Sequence, residues 1–189
     1  MTRPTMLRII PALIGIFLSL GAAAQGIGSR DSLVVVILRH GEKPTKGENL
    51  NCQGLNRALQ LPGLIYRKFG IPSTIYVPAP AEGKSTKHAR MFETAAPIAI
   101  RFNLPVDSRF AEKDSTAIAQ DILKKKGLIL VIWEHNRIPP IARALGIKDP
   151  GRGWDDGDYD SIWIISYSGG RARIRFDREG IVPAPGCPD

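Results

Sequence analysis

Two apolar runs stand out along the chain, Leu33 to Leu38 and Leu128 to Trp133, each bounded by polar residues. Runs this short and this continuous fit strands covered on both faces, where alternation is lost because neither side meets water. Between and around them the apolar positions recur at helical spacing. The pattern predicts a helix from Cys52 to about Lys68 capped by Asn51. A second runs from Lys87 to Arg101 behind Thr86, and a third from Ser115 to Lys126 with Asp114 as N-cap and Gly127 as its stop. A short strand falls near Ser73 to Val77. Asn136 is placed to cap a further helix, which has Pro139 and Pro140 in its first turn and ends at Gly146. Finally, Ile162 to Tyr167 and Arg171 to Phe176 flank Ser168-Gly169-Gly170 as a hairpin, with Ala172, Ile174 and Phe176 facing inward. Strands and helices in alternation predict an α/β fold. The expected architecture is a three-layer sandwich, with a largely parallel central sheet, helices on both faces and a C-terminal hairpin.

Composition refines this picture at the ends of the chain. The first residues carry Arg3 and Arg8, then an apolar stretch from Ile9 to Leu20 interrupted by Pro11, then Ala22-Ala23-Ala24. That is the order of a signal peptide, and the apolar stretch is shorter than the ~20 residues that span a bilayer. Residues 1–24 are therefore expected to be a removable leader, and 25–189 one domain, periplasmic or secreted, with no stable membrane span. Export gives the two cysteines a meaning. Cys52 and Cys187 are an even pair in an oxidising compartment, so a bridge tying the Pro-rich tail to the domain competes with two separate thiols. The net charge of +8 becomes +6 without Arg3 and Arg8, leaving 24 basic against 18 acidic residues. Lys124, Lys125 and Lys126 follow a helix, and Arg171, Arg173 and Arg175 alternate along a strand, so both clusters read as solvated faces. No basic patch is interleaved with stacking aromatics, which argues against nucleic acid as a partner.

The chain has three histidines, and two of them, His40 and His135, stand just beyond the ends of the buried strands. Ligands of open α/β sheets collect at the carboxyl ends of strands, so the two can share a site. GxSxG, GxxxxGK[ST], HExxH and CxxC motifs are absent. Each histidine lies beside Arg or Lys, which disfavours a dication, so no metal or other cofactor is expected. An anion is the natural guest. Phosphoryl transfer needs a nucleophile aligned with a leaving group and fixed positive charge around the equatorial oxygens, and Arg39-His40 on a rigid strand end offers both.

Leu38-Arg39-His40-Gly41-Glu42 resembles the signature of the histidine phosphatase superfamily, the phosphoglycerate-mutase-like fold. Leu50-Asn51-Cys52-Gln53-Gly54 followed by Ala58 is similar to that family's Leu-Thr-x-x-Gly helix opening, and residues 89–95 to its Arg-x-x-x-Thr-Ala helix. Ile132 to Asn136 occupies the place of the second histidine. The resemblance spans residues 33 to about 167. It implies that His40 attacks phosphorus and forms a phosphohistidine, while Arg39, Arg90 and His135 bind the phosphoryl oxygens of a small phosphorylated substrate. Two departures matter. The proton donor is either Glu134, whose carboxyl beside Trp133 is expected to titrate above the usual range, or Glu112 in Arg-Phe-Ala-Glu-Lys-Asp; Glu134 also has the competing reading of an ion pair with Arg90 or Arg137. The approach to Arg90 is also unlike the family's, and His88 within it reads as an exposed helix residue. The acidic segment 153–163, where the family builds its leaving-group pocket, has Asp155, Asp156 and Asp158 in a spacing unlike a calcium loop, and they read as a solvated turn. The expected activity is metal-independent phosphomonoester hydrolysis. The alternative is a non-catalytic module of the cell envelope that binds phosphorylated ligands in the same cationic pocket.

Overall fold

The two apolar runs become neighbouring strands at the centre of one sheet. The computed structural model describes residues 32–80 and 87–188. In chain order these give β1 (Leu33–Arg39), α1 (Cys52–Phe69), β2 (Thr74–Tyr76), α2 (Ala89–Phe102), β3 (Val106–Asp107) and α3 (Ser115–Ile122). There follow β4 (Gly127–Trp133), a 3-10 turn (His135–Arg137), α4 (Ile138–Ala144), β5 (Ser161–Ser168) and β6 (Arg171–Arg178). The sheet has the order β3-β2-β4-β1-β5-β6. Its first four strands are parallel, while β5 and β6 run antiparallel as the hairpin that closes one edge. The expected α/β architecture is the one observed.

Alternation along the strands, hidden in the sequence by continuous hydrophobicity, reappears as two cores. Val35, Ile37, Ile129, Val131 and Trp133 point to the layer of α3 and α4, together with Trp163 and Ile165 of β5. Val36, Leu38, Leu130 and Ile132 point to the layer of α1 and α2, with Ile162 and Ile164. A strand that is apolar on both faces is thereby accounted for residue by residue.

Several local expectations change. The third helix stops at Ile122, and Asp114 makes no side-chain cap bond. Gly127 opens β4 at φ 78 instead of ending a helix. Asn136 caps nothing, because it lies inside the 3-10 turn, and α4 begins behind Arg137. His88 is the N-cap of α2, in the left-handed region at φ 61, so the helix starts two residues later than its apolar spacing suggests. Phe176 is 40% exposed because β6 is an edge strand, and the Arg152 guanidinium covers its ring at 4.0 Å. The two-residue β3 has no periodic signal to read. The leader expected at 1–24 and the cap expected at Thr86 lie outside the described residues.

Candidate active site

β1 and β4 pair in parallel with Arg39 opposite Trp133, so their carboxyl ends emerge side by side. His40 follows one strand and Glu134-His135 the other, and the His40 amide donates to the Trp133 carbonyl at 3.3 Å. The site is therefore a direct product of strand register. His40 is fully buried. Its Nδ1 lies 2.6 Å from the Gly41 carbonyl, which can only accept, so Nδ1 carries a proton and the lone pair that a nucleophile needs belongs to Nε2. That nitrogen is 3.3 Å from Glu134 Oε2 but lacks hydrogen-bond geometry toward it.

Two glycines and a threonine hold this corner together. A side chain on Gly41 would place its Cβ 2.8 Å from the Gly54 carbonyl oxygen, and one on Gly54 would come 2.7 Å from the Glu42 amide nitrogen. The loop after β1 thus lies directly on the first turn of α1, whose cap, Asn51, accepts from the Gly54 amide at 2.8 Å. On the other side the Gly41 amide donates to Thr94 Oγ1 at 3.0 Å, and that hydroxyl donates in turn to the Arg90 carbonyl at 2.7 Å. Arg90 and Thr94 are four residues apart, so the face of α2 bearing Arg90 is the one applied to the His40 loop. The Arg-x-x-x-Thr spacing is thus a docking device for the His40 loop.

Arg39 is buried beneath a loop. Its Nη1 donates to the carbonyls of Asp155 and Asp158, each at 3.4 Å, and to that of Asp156. Its Nη2 meets Asp156 Oδ1 and the Tyr159 hydroxyl, both at 3.3 Å, and the guanidinium lies over the Tyr159 ring at 4.0 Å. Asp156 Oδ1 is also 3.5 Å from His135 Nε2. The reading of the acidic segment as a solvated turn is corrected here: Asp156 bridges Arg39 and His135, and Asp158 accepts from Ser161 Oγ at 2.6 Å. Arg90 keeps a weaker set, with the Gly47 carbonyl at 3.3 Å and Glu48 at 3.8 Å. Among the described residues, the buried side-chain polar atoms with no hydrogen-bond partner are Arg39 Nε, His40 Nε2 and Arg90 Nε.

The carboxylates sort by neighbour. Burial pushes Glu134 up, but the hydrogen bond from His135 and the imidazole of His40 3.3 Å away outweigh it and hold the carboxyl well below the usual range. The expected upward shift beside Trp133 is thus overturned. So is the ion pair with Arg90 or Arg137, since Arg137 donates to Glu112 at 3.1 Å and Glu134 accepts from His135 Nδ1 at 2.6 Å. Nearby, Arg57 grips Glu42 at 2.7 Å and Glu179 at 2.6 Å, a buried network that carries no signal in the local sequence. Burial dominates at Glu179, with Arg57 opposing it, and its carboxyl is pushed up to about 8. A cleft of about 440 Å³ is lined by Glu42, Arg57, Asp155, Asp158 and Tyr159, the last three being contacts of Arg39. A larger cavity, about 910 Å³ between Leu145 and Arg171, holds none of these residues. Among the described residues, no group of three or more His, Cys, Asp or Glu could hold a metal ion.

No family model matches the chain, and no curated protein sequence does. Solved structures do match in fold. The protein histidine phosphatase SixA, complexed with tungstate, superposes with a TM-score of 0.57 at 13% identity, over 78% of this chain and 97% of that one. A phosphoserine phosphatase variant from Entamoeba histolytica, in complex with phosphoserine, gives a TM-score of 0.51 at 11% identity, over 78% and 97% of the two chains.

Proposed function

On the fold of the histidine phosphatase superfamily, we propose that this protein is a phosphomonoester hydrolase that works through a phosphohistidine on His40. The observation that carries the reading is the set of orphaned buried atoms: Arg39 Nε, His40 Nε2 and Arg90 Nε belong to the three residues that sequence reasoning assigns to a phosphoryl group. Buried polar atoms are rarely left without a partner, and three in one site call for a ligand able to accept from two guanidinium groups and receive a nucleophile.

In the proposed reaction His40 Nε2 forms a bond to phosphorus as the bond to the ester oxygen breaks, with Arg39, Arg90 and His135 taking the phosphoryl oxygens. The leaving oxygen needs a proton, and Glu134 is the proposed donor. In the free site its contacts with the two histidines hold it ionised. An arriving phosphate takes those histidines as its own partners and adds negative charge, so burial becomes the dominant influence and the carboxyl gains affinity for a proton. Water then attacks phosphorus, the N–P bond breaks, and Glu134 takes the proton that water loses. We propose further that residues 1–24 are a removable leader and 25–189 a single domain, a reading that, with the bridge between Cys52 and Cys187, supports a periplasmic or secreted location.

The test is phosphate release from a panel of phosphomonoesters in the presence of EDTA, with acid-labile phosphate trapped on the protein after rapid quench. Turnover should survive chelation, and His40→Ala should lose at least roughly 10³-fold in kcat. Hydrolysis that persists in His40→Ala with no trapped phosphoprotein would falsify the mechanism. Phosphate binding without any turnover would mark the protein as a phosphoryl-binding module.

A further inference from the structure

We infer that Asp156 is an intramolecular occupant of the phosphate site, a carboxylate that engages Arg39 and His135 until a substrate phosphate displaces it; this rests on the phosphatase reading above. One oxygen, Asp156 Oδ1, lies 3.3 Å from Arg39 Nη2 and 3.5 Å from His135 Nε2, so it bridges two groups assigned to the phosphoryl oxygens. The carbonyls of residues 155, 156 and 158 accept from the other terminal nitrogen of Arg39. Together they offer this guanidinium what a phosphate would offer it, namely several oxygens around its terminal nitrogens.

The loop is built to hold the carboxylate there and to let it leave. At one end Trp154 is buried against Trp163, with ring centroids 5.4 Å apart, and its Nε1 donates to the Asp158 carbonyl at 2.8 Å. At the other end the Asp158 carboxylate accepts from the amides of Asp160 and Ser161, both at 3.0 Å, and from the Ser161 hydroxyl at 2.6 Å. Between these anchors lie residues 155–157, and a Cβ on Gly157 would meet nothing within 4 Å. The Asp156 side chain is 80% exposed, and an ion pair so open to water has little net attraction. A phosphate dianion that also reaches Arg90 and His40 has more contacts to offer than this single carboxylate.

Every anion must displace the same contact, so the penalty falls equally on all of them, and it acts on affinity and not on the chemical step. The protein thereby keeps the terminal nitrogens of Arg39 partnered while the site waits for a ligand able to engage the remaining donors as well.

Calorimetric titration of the protein, Asp156→Asn and Asp156→Ala with inorganic phosphate and with vanadate tests this. Both variants should bind both anions more tightly by a common factor, on the order of 3- to 10-fold. Amide exchange supplies a readout that a passive loop would not give: phosphate should speed exchange at residues 155–157 of the wild type while the strands stay protected. Equal affinity in wild type and variants, or protection of that tip by phosphate, overturns the inference and leaves the phosphatase reading standing. If neither wild type nor variants bind phosphate at millimolar concentration, both readings fall.

Discussion

Glu134 is the residue whose environment pulls hardest in opposite directions. Its burial favours the neutral acid, and His40 and His135 favour the anion strongly enough to win. A carboxyl held down by two groups that a phosphate would claim becomes a better proton donor once the phosphate arrives. Glu134→Gln should therefore slow an alkyl phosphate by roughly 10²-fold or more, the scale of general acid catalysis. An activated aryl phosphate, which departs without protonation, should barely change. The ratio of kcat for the two substrates is the measurement, and equal slowing of both would assign Glu134 to holding His135 and not to proton donation. At this scale much was legible in the sequence. His40 and His135 could be brought to one place from the sequence because they sit at the ends of buried strands, with Arg39 beside the first, whereas Arg90 was offered only by the family resemblance around Thr94. Asp156 could not be placed, since its contacts with Arg39 and His135 depend on how a loop more than a hundred residues from Arg39 folds over, which no local pattern encodes.

Among the elements, α1 does more than cover the sheet. Its buried face contains Arg57 among Ala58, Leu61 and Leu64, and that arginine ties the loop after β1, through Glu42, to the end of β6, through Glu179. Two carboxylates share one guanidinium, and burial pushes Glu179 up to about 8. The sign follows directly. A folded-state value raised above the ordinary 4.5 means that the folded protein binds the proton more tightly than the unfolded chain. Stability from this group is complete below about pH 4.5 and is lost as pH rises toward 8. Urea unfolding across that window should show a decline that Glu179→Gln flattens, and an unchanged slope in the variant would contradict the raised value. Arg57→Ala should cost roughly 3–5 kcal/mol at neutral pH, because it leaves the Glu42 carboxylate unpaired and the buried Glu179 carboxyl without its donor. The helix itself was readable, with Asn51 as its cap as expected. Its network was not, because an arginine at an amphipathic position looks like a solvated one until its partners, 15 and 122 residues away, are placed.

For the whole molecule, the bridge between Cys52 and Cys187 closes a span of 135 residues, with the two Cα atoms 4.4 Å apart. It joins the first residue of α1 to the tail, which Asn56 also holds by donating to the carbonyls of Ala184 at 2.8 Å and Gly186 at 2.5 Å. No helix among the described residues is long and apolar enough to cross a membrane. Closing so long a loop restricts the unfolded chain by on the order of 5 kcal/mol in the entropy model, with less expected where the unfolded chain is already compact. Cys187→Ser, or reduction of the wild type, should therefore lower the urea midpoint substantially. Turnover by the folded fraction should be largely kept, because His40 is positioned by the β1–β4 register, by the Gly41–Gly54 contact and by Thr94, none of which passes through the tail. Midpoint and kcat measured on the same preparations separate the two effects. A midpoint indifferent to reductant, or an intact mass showing two free thiols in protein purified without reductant, would remove the bridge from the account. A loss of kcat in step with stability would mean instead that the tail, acting through Cys52 and the neighbouring Asn51 cap, sets the position of the loop that carries His40.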